Sequence, residues 1–585
     1  MYDIVIRGGT IHDGRGSEPF VGDVAITGEN ISYVGRDAGP GKKEIDAAGR
    51  IVTPGFIDLH THYDAQATWD QILAPSVWHG VTSVVMGNCG VGFAPVRPSQ
   101  RSEMITIMEN VEEIPRKVLE AGLPWDWETF PEYLDALDRF PHAIDIGAQI
   151  PHIAVRAYVM GERAARDEPA TEADIAEMAA IVEDGLRAGA VGFSCSRTNF
   201  HRMSNGVRVP GSMGDRGELL ALSQAVGQAG SGVIQCLSDM KPGAEEMSWL
   251  EEMSVTSGTT VCFSLFQSPV SDKDWRWQID RIAEERGGAR LMGHFSPRAV
   301  GNVMQWRAIH PFMGRPSWKA IAGLPWPEQL ARLKDPAFRQ QLLSEGNDVV
   351  GRYAPELEER MLNGFARQYE LGDDLDYEPD PATMSIAVRA AEAGVDPEAY
   401  AYDVLMRQDG TGMIYLTIVN YEDGNLDHVR ELIQHRNAVV SLADSGAHCT
   451  RVVDASSPTF VLTHWTRDRR RGETISLASA IKSYTGDAAG SYNLFDRGIV
   501  APGYLADLNV IDFDRLKLDR PYLSFDFPEG GCRLMQKAQG YDATIKRGQV
   551  IFRNGEHTGA LPGKVIRGTQ PVPAEAMTVT GESAR

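Results

Sequence analysis

Two histidines at the end of an apolar run constrain the fold and the function of this chain more than any other sequence feature. Residues 51–59 are rich in β-branched and aromatic side chains and predict a buried strand, interrupted early by Pro54. His60 and His62 follow directly. Because side chains alternate along a strand, the two rings project to the same side, about 7 Å apart. This spacing suits one divalent metal, with the carboxylate of Asp64 nearby to support it.

Composition narrows the class of protein. A chain of 585 residues exceeds one ordinary core, so a large domain plus a smaller one is expected. The formal net charge of −23 argues against nucleic acid or an anionic membrane as a partner. No apolar run approaches the roughly 20 residues of a membrane span, and the first residues read as a strand. Six cysteines, none in CxxC spacing, predict free thiols in a cytoplasmic protein.

Strand and helix patterns alternate through the middle of the chain. Several of the strands are nearly continuous apolar runs, as is typical of parallel strands covered on both faces. Together with 51–59 they number eight, which predicts an α/β fold of the TIM (β/α)8 barrel type. The other seven predicted strands are 80–86, 143–148, 190–194, 232–237, 259–265, 290–293 and 438–442.

Both ends of the chain carry short strands and tight turns, which predicts one small β-sandwich built from the two termini. The predicted boundaries are 1–54 and 491–560 for the sandwich and 55–490 for the barrel. Within the barrel, 301–420 exceeds a normal β/α unit and is interpreted as an insertion of helices and loops over the mouth. Residues 561–585 are predicted to form an extended arm. In 171–188, Thr171 and Asp174 form a capping pair before an amphipathic helix.

Reactive groups of a TIM barrel lie at the carboxyl ends of its strands. The second predicted strand ends in Cys89, which is either a thiolate ligand or a buried packing residue. The eighth strand leads to Asp444, which can bind a metal and exchange a proton with water, or can instead cap a helix. His448 follows as a neighbour of the metal or a hydrogen-bond donor to substrate.

These motifs resemble the amidohydrolase superfamily, and most closely its N-acyl-D-amino-acid deacylase (D-aminoacylase) family. The resemblance implies a zinc-dependent TIM barrel with a β-sandwich that hydrolyses the amide of N-acyl-D-amino acids. It also implies that His60, His62 and Cys89 bind metal and that Asp444 is catalytic. The motifs are PGFIDLHTH at 54–62, GVTSVVMGNCG at 80–90, AVGFS at 190–194, ADSGAH at 443–448 and GIVAPGYLAD at 498–507.

The chain also departs from that family, which places metal-binding histidines at the ends of strands five and six. Here Gln235 and Gln267 stand in those regions, and a neutral amide oxygen is a weak zinc ligand. Strand four lacks the lysine that bridges two metals elsewhere in the superfamily. One zinc is therefore predicted, with a second left open because His201 or His294 could complete its site. His152 is a weaker candidate.

The predicted activity is hydrolysis of a linear, non-peptide amide bond in a small molecule, with Asp444 as base and then acid. Arg197, Arg202 and Arg298 are candidate anchors for a substrate carboxylate. Cyclic-amide or lactone hydrolysis remains open, as does a non-catalytic scaffold with a decayed metal site. A nucleobase deaminase is disfavoured because strand five lacks a histidine and glutamate. The C-terminal arm makes a homo-oligomer plausible.

Overall fold

The computed structural model describes residues 1–203, 206–269, 271, 273–348, 350–351 and 355–574. Eight parallel strands in these ranges lie side by side in chain order and form the central sheet. In chain order they are β1 (Phe56–Asp58), β2 (Val81–Met86), β3 (Asp145–Pro151), β4 (Gly192–Arg197), β5 (Val233–Ser238), β6 (Val261–Ser264), β7 (Leu291–Phe295) and β8 (Ala438–Val440).

The sheet closes just beyond the ends of its first and last strands. Thr61 pairs in parallel with Ser445, and the His62 amide donates to the Ser445 carbonyl at 2.7 Å. The interior is filled by inward-pointing apolar side chains such as Leu59, Val85 and Val233. Filled interiors of this kind are typical of TIM barrels, so the predicted barrel is confirmed.

The first predicted strand is wrong in one respect. The run 51–59 forms two strands, because the chain turns at Pro54 and Gly55 and passes from one sheet to another. Ile51–Pro54 pairs antiparallel with Leu508–Ile511, whereas β1 pairs with β2. A Cβ on Gly55 would lie 2.2 Å from the Thr82 hydroxyl, so only glycine fits at this crossing.

Strands from both ends of the chain form a second, nine-stranded sheet in the described part of the protein. This agrees with the predicted two-ended β domain. Its core consists of aliphatic side chains such as Ile6, Val24 and Val510. The strands are Tyr2–Ile11, Phe20–Thr27, Asn30–Gly35, Gly41–Asp46, Ile51–Pro54, Leu508–Ile511, Tyr541–Lys546, Gln549–Arg553 and Glu556–His557.

A buried ion cluster joins the second sheet to the amino-terminal end of the barrel. Asp145, the first residue of β3, is fully buried. Its carboxylate lies 2.9 Å from Lys546 Nζ, 2.8 Å from Arg497 Nη1 and 2.8 Å from Arg547 Nη2. Three cations from the last 90 residues therefore surround one barrel aspartate. These contacts tie the C-terminal part of the chain to the barrel.

Helices cover the outside of the barrel. The predicted helix at 171–188 is confirmed: it begins after Thr171, whose hydroxyl accepts the Asp174 amide at 3.2 Å. Helices between β2 and β8, outside the insertion, are Arg101–Val111, Arg116–Gly122, Phe130–Arg139, His152–Met160, Glu162–Ala165, Glu172–Ala188, Arg216–Ala229, Gly243–Ser257, Trp275–Ala283 and Asp427–Ile433. Those after β8 are Ser457–Thr463, Leu477–Tyr484 and Gly486–Ser491, with a π-helical turn at His464–Asp468.

The long connection between β7 and β8 was expected to contain helices and loops. It also contains a three-stranded antiparallel sheet of Val300–Met304, Gln368–Glu370 and Ile414–Val419. This sheet and its helices have their own aromatic core around Trp306. The helices are Pro316–Ile321, Trp326–Leu333, Pro336–Ser344, Pro355–Asn363, Pro381–Met384, Ile386–Ala393 and Pro397–Gly410.

The predicted C-terminal arm is described as far as residue 574, and its last eleven residues lie outside the described residues. Residues 563–566 run along β3 of the same chain: Ile146 and Val565 pair in parallel, and the Lys564 amide donates to Asp145 at 2.7 Å. No helix among the described residues has the length and apolar character of a bilayer-spanning segment.

Candidate metal centre and active site

Four side chains converge at the carboxyl end of the barrel. His60 Nε2 lies 3.3 Å from Cys89 Sγ and 3.3 Å from Asp444 Oδ1. His62 Nε2 lies 3.7 Å from the same Asp444 oxygen. Both histidines and the cysteine are buried. The structure thus brings together the four residues singled out from the sequence.

Barrel closure and two local backbone features fix this geometry. The Asp444 amide donates to the His60 carbonyl at 3.1 Å, so the aspartate lies beside the histidine pair. Cys89 adopts a left-handed conformation (φ 56°), which is uncommon for a residue with a side chain and is often found at functional sites. Its amide donates to Gln235 Oε1 at 2.8 Å.

This donor set fits a zinc ion. The ligand atoms of His60, His62 and Cys89 all lie within 4.8 Å of one another. Two imidazoles, a thiolate and a carboxylate are the groups that zinc prefers in proteins. Burial lowers the pKa of His60 to about 3, which keeps its imidazole neutral and able to coordinate.

Burial and neighbouring charges shift the pKa values of the other donors. Burial raises the pKa of Cys89 to about 12. Burial would also raise the pKa of Asp444, but His62 and His60 outweigh it and hold the carboxyl well below its usual range. Asp444 is therefore ionised at neutral pH, as a proton acceptor must be.

Two adjacent acidic residues that were not identified from the sequence complete the site. Glu112 is buried, with Oε1 at 3.5 Å from His62 Nδ1. Burial raises its pKa to about 7. Its neighbour Glu113 binds Arg451 through two contacts of 2.7 and 2.6 Å. Both residues directly follow the helix Arg101–Val111 and lie outside the sequence motifs. Acidic side chains at such positions usually face solvent, so in the sequence only the adjacent apolar residues Val111 and Ile114 indicated burial.

His448 lies at the edge of this group and lines the cavity above it. Arg451 Nη2 lies 3.1 Å from His448 Nδ1, and because a guanidinium can only donate, Nδ1 accepts. The proton of the neutral ring is therefore on Nε2. Burial and Arg451 lower the pKa of His448 to about 4, so the ring is neutral at pH 7.

The other candidate histidines lie in three different environments. His201 lines the cavity, with Nδ1 at 3.4 Å from the Ser196 hydroxyl. His294 is fully buried near the Tyr492 ring, and neither of its ring nitrogens has a hydrogen-bond partner among the described residues. His152 is bound to Glu218 at 2.6 Å, which explains its burial without a ligand.

The strand-end glutamines have structural contacts. Gln235 uses its oxygen to accept the Cys89 amide, while its Nε2 is buried without a hydrogen-bond partner in the part of the chain described. Gln267 reaches away from the metal-binding group: its oxygen accepts the Glu422 amide at 2.8 Å and its nitrogen donates to Asp423 at 2.6 Å. Gln267 thus fixes the loop after β6 to the residues that directly follow the insertion.

Two of the three arginines proposed as carboxylate anchors bind protein carboxylates elsewhere. Arg197 donates to Glu246 at 2.8–2.9 Å and stacks over Trp249. Arg298 donates to Asp454 at 2.8 Å and is fully buried. Arg202 does line the cavity, where its guanidinium donates to two backbone carbonyls.

A cavity of about 290 Å³ opens above the metal-binding group. Its walls come from the loops after β4, β5 and β6 and from the insertion. Many of the wall residues are apolar, among them Met240, Phe266, Leu357 and Ile418. The insertion therefore borders the barrel mouth, and the cavity combines a polar floor with apolar walls, as small-molecule sites commonly do.

The family model described as "Amidohydrolase family" matches the sequence over residues 43–552. The chain belongs to the amidohydrolase family. N-acyl-D-aspartate deacylase of Alcaligenes xylosoxydans xylosoxydans is 27% identical over 580 residues, covering 98% of this chain and 96% of the relative.

Two solved structures share the fold. D-aminoacylase, whose binuclear metal centre is described by one-metal activation and second-metal attenuation, has a TM-score of 0.64 at 22% identity, covering 97% of this chain and all of that one. N-acyl-D-glutamate deacylase from Bordetella bronchiseptica, complexed with zinc and a phosphonate inhibitor, has a TM-score of 0.64 at 21% identity and covers 97% and 99% of the two chains.

These findings confirm the predicted family and fold. As an amidohydrolase with deacylase relatives, the protein is a metal-dependent enzyme that hydrolyses carbon–nitrogen bonds other than peptide bonds.

Proposed function

We propose that this amidohydrolase cleaves the linear amide of an N-acyl-D-amino acid or a similar N-acyl compound with one zinc ion. The observation that carries the proposal is the convergence of His60, His62, Cys89 and Asp444 on the floor of a cavity large enough for a small molecule. Relatives that act on N-acyl-D-aspartate and N-acyl-D-glutamate support the substrate class.

His60, His62 and Cys89 would hold the zinc, with the Asp444 carboxylate beside them. When bound, zinc supplies Lewis-acid chemistry: it polarises a carbonyl and makes water more acidic. Asp444 accepts a proton from the attacking water and then donates it to the leaving nitrogen. His448 carries its proton on Nε2, so it can donate a hydrogen bond to the carbonyl oxygen as negative charge develops there.

A single zinc is favoured because the side chains that replace the strand-five and strand-six histidines have other contacts. Gln235 accepts the Cys89 amide, and both ends of the Gln267 amide bind the 422–423 backbone and carboxylate. Among the described residues, His60, His62 and Cys89 form the one cluster of three or more His, Cys, Asp and Glu donors with metal-binding spacing.

The cavity walls indicate how the substrate would lie. Met240, Phe266 and Leu357 would contact an apolar acyl group or side chain, with each buried methylene contributing about 0.8 kcal/mol. Arg202 is the candidate anchor for a carboxylate, because two backbone carbonyls already orient its guanidinium.

The first test is elemental analysis together with hydrolysis of N-acyl-D- and N-acyl-L-amino acids. We expect about one zinc per chain, none in a His60→Ala/His62→Ala double variant, and an unchanged content in His557→Ala, whose ring lies in the second sheet. Hydrolysis should be faster for D-enantiomers and absent from the double variant. A wild-type protein that binds no zinc, even when zinc is supplied, would overturn the proposal.

A further inference from the structure

The His62 ring lies between two carboxylates, one facing each nitrogen. Nε2 faces Asp444 at 3.7 Å, and Nδ1 faces Glu112 Oε1 at 3.5 Å. All three side chains contact the floor of the cavity, and both His62 and Glu112 are about 2% exposed. Metal-binding histidines usually donate their second ring N–H to a carboxylate or carbonyl, which fixes the tautomer and the ring orientation.

We propose that Glu112 is a positioning residue of the metal centre: its carboxylate accepts the Nδ1 proton of His62 and so directs the Nε2 lone pair toward the zinc. The inference rests on the proposed function, since it concerns how the same site holds its metal. It assigns a role to a residue outside the HxH motif, from the connection between β2 and β3.

The two histidines of the motif differ in this respect. Nδ1 of His60 and Nδ1 of His62 are both buried without a hydrogen bond in the described part of the chain. Glu112 Oε1 stands 3.5 Å from Nδ1 of His62, whereas the carboxylate beside His60 among the described residues is that of Asp444, which faces Nε2. Cys89 also contacts Nε2 of His60. His62 is therefore the histidine whose orientation a second protein group can set, and Glu112 is the group placed to set it.

The backbone around Glu112 is itself held in place. The Glu112 carbonyl accepts the His448 amide at 2.6 Å. Glu113 adopts a left-handed conformation (φ 56°) and binds Arg451, which also donates to Asn302 at 2.6 Å. A non-glycine residue in this conformation persists only where its surroundings fix it. These contacts connect the 91–142 region to the loop of Asp444, so the Glu112 carboxylate has a rigid support.

The test compares zinc affinity in Glu112→Gln, Glu112→Ala and wild type by competition with a chelator at constant pH. Glutamine keeps an oxygen that can accept from Nδ1, and alanine removes it. We expect zinc to bind about 10-fold more weakly to Glu112→Gln and about 100-fold more weakly to Glu112→Ala. Glu120→Gln, an exposed carboxylate paired with Arg116, is the matched control and should bind zinc as wild type does.

A second measurement separates positioning from general damage to the fold. The melting temperature of each metal-free variant should stay within a few degrees of wild type, and its cobalt spectrum should keep the wild-type band positions because the ligands are unchanged. Zinc affinities within about twofold of wild type in both variants would overturn the inference and leave the proposed function intact. A wild-type protein that binds no zinc would overturn both.

Discussion

The two ends of the barrel both bury charge, but they compensate for it differently. At the amino-terminal end, Asp145 contacts three cations and a backbone amide at 2.7–2.9 Å. At the carboxyl end, Asp444 and Glu112 face imidazole nitrogens of His60 and His62 at 3.3–3.7 Å. Buried nitrogens of His60, Gln235 and His294 there have no hydrogen-bond partner among the described residues.

Buried polar groups are nearly always paired, so a cluster of unpaired ones needs a physical reason. At the amino-terminal end every charge has a partner in the protein, and the result is a fixed junction between two sheets. At the carboxyl end the donor atoms of His60, Cys89 and Asp444 face one another, and the proposed function assigns them to a metal and its substrate. The comparison predicts that the first end governs stability and the second governs catalysis.

The largest effect is expected at the catalytic end. Asp444→Asn removes the proposed proton acceptor and should lower kcat/KM by a factor of about 10² to 10⁴. The free energy of unfolding of the metal-free protein should change by less than about 1 kcal/mol, because active-site charges are arranged for function rather than stability. Steady-state kinetics measures the change in kcat/KM, and denaturant unfolding measures the change in the free energy of unfolding. Asp514→Asn, an exposed aspartate, is the control.

Asp145→Asn should show the opposite behaviour. It leaves three cations without their shared carboxylate, which should lower the free energy of unfolding by about 3–5 kcal/mol, with kcat/KM of the folded enzyme close to wild type. Asp138→Asn, which removes an exposed partner of Arg567, should cost less than about 1 kcal/mol. If Asp145→Asn lowered kcat/KM and spared stability, the proposed division between the two ends would be wrong.

Acid should weaken the amino-terminal junction gradually. Burial by itself raises the pKa of Asp145, but Lys546, Arg497 and Arg547 outweigh burial and hold the pKa well below its usual range. A lowered pKa in the folded state contributes stability above the unfolded pKa of about 4 and loses it as the pH falls further. The stability difference between wild type and Asp145→Asn should therefore shrink below pH 4, by at most about 1.4 kcal/mol per pH unit. A difference that stayed constant from pH 6 to 3 would contradict this assignment.

The barrel and the four converging residues of the candidate metal centre were predictable because their signals are local. Apolar runs predicted all eight barrel strands, and a histidine pair at a strand end needs only the two-residue period of a strand. Cys89 and Asp444 also lie within a few residues of the ends of β2 and β8. What the pattern could not predict was the split of 51–59 between two sheets, since that depends on the close approach of Gly55 to Thr82.

The remaining site residues depend on irregular segments and on distant partners. Glu112, Glu113 and Arg451 come from connections without periodicity. Glu113 binds Arg451 because the connections after β2 and β8 touch. Arg298 follows β7, as expected of an anchor for a substrate carboxylate. Its guanidinium instead donates to Asp454, 156 residues further along the chain. Side-chain partners of this kind are tertiary information, so residue type and position alone cannot assign them.

The two-ended sheet also imposes a delay on folding during synthesis. Ile51–Pro54 pairs with Leu508–Ile511, so the early strand leaves the ribosome more than 450 residues before its partner. At ~5–20 residues per second this interval lasts about 20 to 90 s. Throughout this interval, Val52 and the adjacent backbone edge have no partner strand on the side later taken by Leu508–Ile511. A nascent chain of this protein is therefore most open to wrong strand pairings, and most in need of chaperones, at the Ile51–Pro54 edge.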